Sequence, residues 1–297
     1  MSETRFSMAS AQYREAELSR GVIRYREVGE GPPIVLVHGL LVNGRIWDRL
    51  MPLLSRRARC IVPELPLGSH SIPLGVGPDV TPTAVAGLIA ELLERLELDD
   101  VTLVGNDTGG ALSQLVAVDH PERLGALVLT NCDAFDHFPP PQLKAFVNGL
   151  ALPGIAAGGG VLGHFGWARG LISKLKLTVR PIDDELVQSW MAPLGDRRIR
   201  ADLKQFLRAI PGTDMVAVAE RLGGFDRPAL LAWATRDPYF PIADGQRLAS
   251  ALPQGRLERI DDASTFVQLD APERLAELIL EQVDSRGATA PAPQAAR

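Results

Sequence analysis

The 297-residue chain predicts an α/β fold: a mostly parallel sheet flanked by helices, with a helical cap inserted into it. Three observations carry that prediction. Short β-branched apolar runs alternate with longer segments of helical period, the pattern of strands joined by crossover helices. One run passes through a tight glycine turn, Gly105 to Gly110, directly into a helix. Between residues 135 and 222 the strand pattern stops, glycine and proline cluster, and only helical patches remain.

Residues 1–15 are polar and lack the apolar stretch of a secretion signal, so they read as a flexible start. Val22 to Val28 alternates as an early hairpin strand does, and Pro33 to His38 is the continuous apolar run of a strand buried on both faces. Ile46 to Leu54 reads as a short helix, Cys60 to Leu65 as a strand, and Pro66 to Pro82 as a loop. Thr81-Pro82 opens a helix to about Leu96, with Val85, Leu88, Ile89, Leu92, Leu93 and Leu96 on one stripe. Val101 to Gly105 is a strand, Ala111 to Asp119 a helix and Leu127 to Thr130 the next strand. Within the cap, helical patches fall at Gln142 to Leu150, Leu171 to Leu177, Asp184 to Met191 and Ile199 to Ile210. The alternation then resumes with a strand at Ala229 to Trp233, a helix near Ala243 to Ala251, a strand at Arg256 to Ile260 and a helix at Pro272 to Val283. This divides the chain into a core of residues 16–134 and 223–284, a cap of 135–222, and an Ala/Pro-rich disordered tail of 285–297.

Apolar residues make up 46% and charged residues 23%, which excludes a disordered chain. The net charge is −5 with no basic block, so nucleic acid is not an expected partner. The most apolar stretch, Gly149 to Gly163, is glycine-broken and too short to span a membrane. Cys60 and Cys132 cannot form a disulfide framework, which points to a reducing cytoplasm. No spacing of metal ligands or cofactor motif is found, and a small molecule is the expected partner; a homodimer is left open.

The chemistry sits at Gly105-Asn106-Asp107-Thr108-Gly109-Gly110. A strand, a sharp turn and a helix form a nucleophile elbow when the residues two before and two and three after the apex are small. Gly105, Gly109 and Gly110 meet that demand, so Asp107 is expected at the apex, beside a helix N-terminus whose dipole favours an ionised carboxylate facing a pocket. His38-Gly39-Leu40 closes the strand beside it, and the backbone N–H groups of Leu40 and Thr108 are the expected oxyanion-hole donors.

With these motifs the chain resembles the α/β-hydrolase superfamily, and the aspartate at its elbow resembles the haloalkane dehalogenase and epoxide hydrolase branch. Asp119-His120-Pro121-Glu122-Arg123, Asp237 in Trp233-Ala234-Thr235-Arg236-Asp237-Pro238, and Asp270-Ala271-Pro272-Glu273-Arg274 extend the resemblance over about Glu17 to Val283. It implies an α/β-hydrolase fold in which Asp107 attacks carbon to form an ester, Asp237 is the orienting acid, and a histidine activates water.

That histidine is missing. The loop after the eighth strand, Asp261 to Asp270, carries Thr265 at the expected place, and no histidine follows His164 anywhere in the chain. Thr265 and Phe266 are nonetheless assigned to the pocket, together with His38, Asn43, Trp47, Asn106, Trp167 and Trp190. His70 and His137 lie just past the fourth and sixth strands, on the sheet edge where open α/β sheets bind ligands, and are the candidates to replace the base, with Asp133 or Asp136 to orient it. Three readings follow: a hydrolase of small to medium, largely apolar organic molecules with Asp107 as nucleophile; a lyase, isomerase or cyclase with Asp107 as general base; and a ligand-binding protein without turnover.

Overall fold

The computed structural model describes residues 12–75, 77, 79–150 and 174–287. Eight strands form one sheet: β1 (Gln12–Leu18), β2 (Gly21–Val28), β3 (Pro33–Val37), β4 (Arg59–Pro63), β5 (Val101–Asp107), β6 (Leu124–Cys132), β7 (Ala229–Ala234) and β8 (Gly255–Ile260). Their order is β1-β2-β4-β3-β5-β6-β7-β8, antiparallel for β1-β2 and β2-β4 and parallel from there on. The expected α/β-hydrolase sheet is therefore the observed one.

Alternation along the strands divides the core in two. Val35 and Val37 of β3 face one side with Leu103, Leu127, Leu129 and Leu231, beneath α2 (Pro82–Arg95) and α3 (Thr108–Asp119). Ile34 and Leu36 face the other with Val104, Val128 and Leu230, against α1 (Met51–Leu54) and the last helix. Each fully buried Val or Leu contributes on the order of 1.5–3 kcal/mol. The start of α2 is fixed chemically: the Thr81 hydroxyl accepts from Ala84 N–H at 3.2 Å, and Pro82 occupies the first turn.

Among the described residues between β6 and β7, the elements are helical: α4 (Pro141–Leu150), α5 (Asp184–Met191), α6 (Arg197–Ala209) and α7 (Met215–Arg221). After β7 come α8 (Ile242–Ala251), the short α9 (Val267–Asp270) following β8, and α10 (Pro272–Gly287). Among the described residues no helix is long and apolar enough to cross a membrane.

Three sequence expectations are corrected. The flexible start yields to β1 from Gln12, whose mostly exposed side chains hid an edge strand that pairs with β2 along its whole length. The C-terminal helix continues through residues 285–287, where the tail was expected to begin, and the remaining tail lies outside the described residues. The patch Leu171 to Leu177 is a turn over its described part, 174–177, because its backbone bonds elsewhere. Leu175 O accepts from the Tyr239 hydroxyl, Lys176 O from the Ser264 hydroxyl and Leu177 O from Phe266 N–H. Asp270, at the end of α9, accepts from the N–H groups of Val179, Arg180 and Ser264 at 2.9, 3.2 and 3.0 Å, binding residues 179–180 and the loop after β8 to one carboxylate.

Candidate active site

At the end of β5, Asp107 adopts φ 55° and ψ −132°, a conformation non-glycine residues avoid at a cost of about 1–3 kcal/mol. The glycines around it permit the turn. A Cβ on Gly105 would lie 2.6 Å from Gly109 O, one on Gly110 2.6 Å from Cys132 Sγ, and one on Gly39 2.6 Å from Asp107 Cγ. Strand, turn and helix thus approach more closely than any side chain allows.

The elbow holds its carboxylate with backbone donors. Leu40 N–H reaches Asp107 Oδ2 at 3.1 Å, and the Thr108 N–H at the start of α3 favours the charge on the same carboxylate. Burial still dominates, pushing the Asp107 pKa up to about 7 against the two N–H groups, with the charge of Asp237 adding to the rise. Burial thus opposes the ionised form that the helix N-terminus alone would favour.

A second carboxyl lies beneath the first. Asp133, the residue directly after β6, accepts the Thr108 hydroxyl on Oδ2 at 2.9 Å. Burial raises its pKa well above the usual carboxylate range, Asp107's charge reinforces this and the Thr108 hydroxyl opposes it. Sequence reading had given Asp133 only the task of orienting an imidazole. Its position at a strand's carboxyl edge was the available signal.

Two buried asparagines fix the remaining loops to this centre. The amide nitrogen of Asn106 lies 2.8 Å from Thr265 O, 2.8 Å from Thr130 Oγ1 and 3.1 Å from Asn131 O, while its Oδ1 accepts from Gln268 at 2.9 Å. Asn131 accepts from Ala234 N–H at 2.7 Å and donates to Ala234 O at 3.1 Å and Phe240 O at 3.4 Å, clamping the loop that carries Asp237. In that loop Asp237 Oδ1 accepts from Tyr239 and Phe240 N–H at 2.7 and 3.2 Å. Burial lifts the Asp237 pKa to about 6, with those donors and the Thr265 and Asn131 side chains opposing.

Several residues assigned to the pocket are buried or hold hydrogen bonds within the fold. His38 is wholly buried, with Nδ1 bonded to Gly39 O at 2.9 Å and Nε2 accepting from Leu65 N–H at 3.0 Å, and burial lowers its pKa to about 4. Trp47 and Asn106 are equally buried. Asn43 caps a turn at Arg45 N–H and donates to Ser189 O. His70 bonds Asp202 of α6 at 3.2 Å, and His137 bonds Asp244 of α8 at 2.5 Å. Trp190 and Phe266 are buried and pack edge to face, centroids 5.8 Å apart. Trp167 lies outside the described residues. Among the described residues no three acidic, histidine or cysteine side chains are arranged to hold a metal ion.

Asn106→Ala would strip partners from Thr265 O, Asn131 O and the Gln268 amide. At about 1–3 kcal/mol for each buried group left unpaired, the expected destabilisation is about 3 kcal/mol or more. Urea denaturation measures it, and a loss under about 1 kcal/mol would contradict the latch.

Residues 32–272 match the family model for the alpha/beta hydrolase fold. The chain is 31% identical over 274 residues to haloalkane dehalogenase 2 of Mycobacterium tuberculosis, covering 89% of this chain and 92% of that protein. An alpha/beta hydrolase fold protein from Burkholderia ambifaria superimposes with a TM-score of 0.73 at 26% identity, over 90% of this chain and 97% of that one. A meta-cleavage product hydrolase from Pseudomonas fluorescens gives 0.75 at 19% identity, over 92% and 97%, a likeness of fold.

Proposed function

The chain belongs to the α/β-hydrolase fold family, on its haloalkane-dehalogenase-like branch, and from that premise we propose that it is a hydrolase whose Asp107 attacks carbon in a small, largely apolar organic substrate. The observation that carries this reading is the pair of backbone N–H groups, Leu40 and Thr108, on the Asp107 carboxylate. With Oδ2 held by Leu40, Oδ1 is the oxygen that attacks; the leaving group departs with the bonding electron pair and an ester forms. Oδ2 then becomes the ester carbonyl oxygen, already among donors placed for the negative charge it gains when water adds to Cγ. A carboxylate acting only as a proton acceptor needs no such donors.

A second reading has its own support. Asp107 with a pKa of about 7 is matched to proton transfer at neutral pH, and the histidines at the sheet edge bond other carboxylates. Asp107 would then abstract a proton, as a lyase or isomerase requires.

Intact-protein mass spectrometry separates the two. Allyl bromide and styrene oxide are expected to leave an adduct that peptide mapping assigns to Asp107. Since the attacking form is the ionised one, its rate of formation should climb about tenfold per pH unit below 7 and level off above it. Proton exchange into bound small carbonyl compounds with no adduct would favour the base reading.

A further inference from the structure

Asp237 Oδ2 and Thr265 Oγ1 are both buried, the Thr265 side chain favours the Asp237 carboxylate beside it, and among the described residues neither atom meets a further hydrogen-bond partner. Buried polar atoms are rarely left so, because each costs about 1–3 kcal/mol when unpaired. These two are neighbours, on the loops after β7 and β8, and neither loop is loose. Asp237 is oriented by the two N–H groups on Oδ1, which leaves Oδ2 free of backbone donors. Thr265 is tied through its carbonyl to Asn106, the residue before the nucleophile, and Asp237 is close enough to Asp107 for their charges to interact.

Resting on the nucleophile reading, we propose that Asp237 is the base of the hydrolytic half-reaction: its Oδ2 takes a proton from a water that the Thr265 hydroxyl helps to position for attack on Cγ of the Asp107 ester. The water oxygen bonds Cγ as its proton passes to Asp237. The oxyanion on Oδ2 of Asp107 rests on Leu40 and Thr108 N–H, then collapses, and the Cγ–O bond to the substrate carbon breaks. The departing alcohol takes the proton back from Asp237, and Asp107 is left as a carboxylic acid carrying one oxygen from water, which loses its proton to solvent before the next attack. No oxidant or metal is required. The other candidates are placed less well: His38 is bonded at both ring nitrogens, His137 bonds Asp244, His70 is drawn through Nε2 to Asp202 of α6, and burial with the charge of Asp107 raises the pKa of Asp133.

The test starts from protein alkylated on Asp107 with allyl bromide, freed of excess reagent, and follows loss of the adduct by intact mass. In the parent, release should slow about tenfold per pH unit below 6. The titratable groups facing Asp237 do not confuse that limb: Asp107 is esterified, and burial holds the Cys132 thiol and Tyr239 phenol protonated throughout. Asp237→Asn should form the adduct at nearly the parent rate and release it at least about a hundredfold more slowly, without the limb. Thr265→Val should slow release about tenfold and keep the limb. Thr265→His is the check that survives a misfolded Asp237→Asn: an imidazole oriented by Asp237 should speed release, with a limb near the ordinary imidazole pKa of about 6.5.

Release from Asp237→Asn at the parent rate, or no acceleration in a folded Thr265→His, overturns the assignment of Asp237. So does an adduct that persists equally in parent and variants, which leaves the nucleophile reading standing. Absence of any Asp107 adduct, by contrast, overturns that reading and this proposal together.

Discussion

Asp107→Asn should abolish turnover, by about ten-thousand-fold or more, while the fold survives. The amide keeps the shape at the apex and can still accept from Leu40 N–H, but it has no charge with which to attack carbon or take a proton. A second effect, opposite in sign, accompanies the first. A carboxyl whose pKa is about 7 in the fold and about 3.9 in the unfolded chain binds its proton more tightly when folded. Its contribution to stability is therefore intact below about pH 4 and lost as pH rises to about 7. Replacing it removes that loss, so the variant should melt at or above the parent near pH 8, with the difference shrinking toward pH 4. Parent-like turnover of a substrate by Asp107→Asn would remove the elbow from the chemistry under either catalytic reading.

Gly109→Ala, in the first turn of α3, should be strongly destabilising. In a helix interior alanine is favoured over glycine by up to about 1 kcal/mol. Here the added Cβ would lie 2.6 Å from His38 O and 2.8 Å from Val37 C, and closer still to Val37 O. All three are backbone atoms at the end of a fully buried central strand, and no rotamer change moves them. Overpacking of that kind costs about 3 kcal/mol or more, which outweighs the helix preference. Chemical denaturation should show the loss, and the same displacement of β3 would carry Leu40 N–H away from the carboxylate. A variant as stable as the parent would mean that α3 and β3 are not packed as described.

The elbow was legible because its demands are local: three glycines at fixed offsets around an acid leave few alternatives, and the apolar runs of β3 to β7 announce strands buried on both faces. What escaped was set by partners far away in the chain. His70 and His137 looked available as bases because Asp202 and Asp244 stand 132 and 107 residues further on. Asp133 acquired its tie to Asp107 only through the adjacency of β5 and β6, which brings the Thr108 hydroxyl to it. Residues 174–177 carried helical composition, yet tertiary hydrogen bonds claimed their carbonyls. The place of Thr265 could be read from its flanking motif. That its hydroxyl and the neighbouring Asp237 oxygen would both lack a further partner required the assembled loops.

The carboxylate of Asp270 has a consequence for how this region opens. Three amides, those of Val179, Arg180 and Ser264, lean on one side chain, so none of them can be released to solvent by an excursion of its own strand of chain without loosening an acceptor shared with the others. Segment 175–180 and the loop through Thr265 therefore form one cooperative unit with a single opening equilibrium. A molecule that bound segment 175–180 in this arrangement would also narrow the motion of Thr265, and by reciprocity whatever steadies Thr265 would tighten that binding.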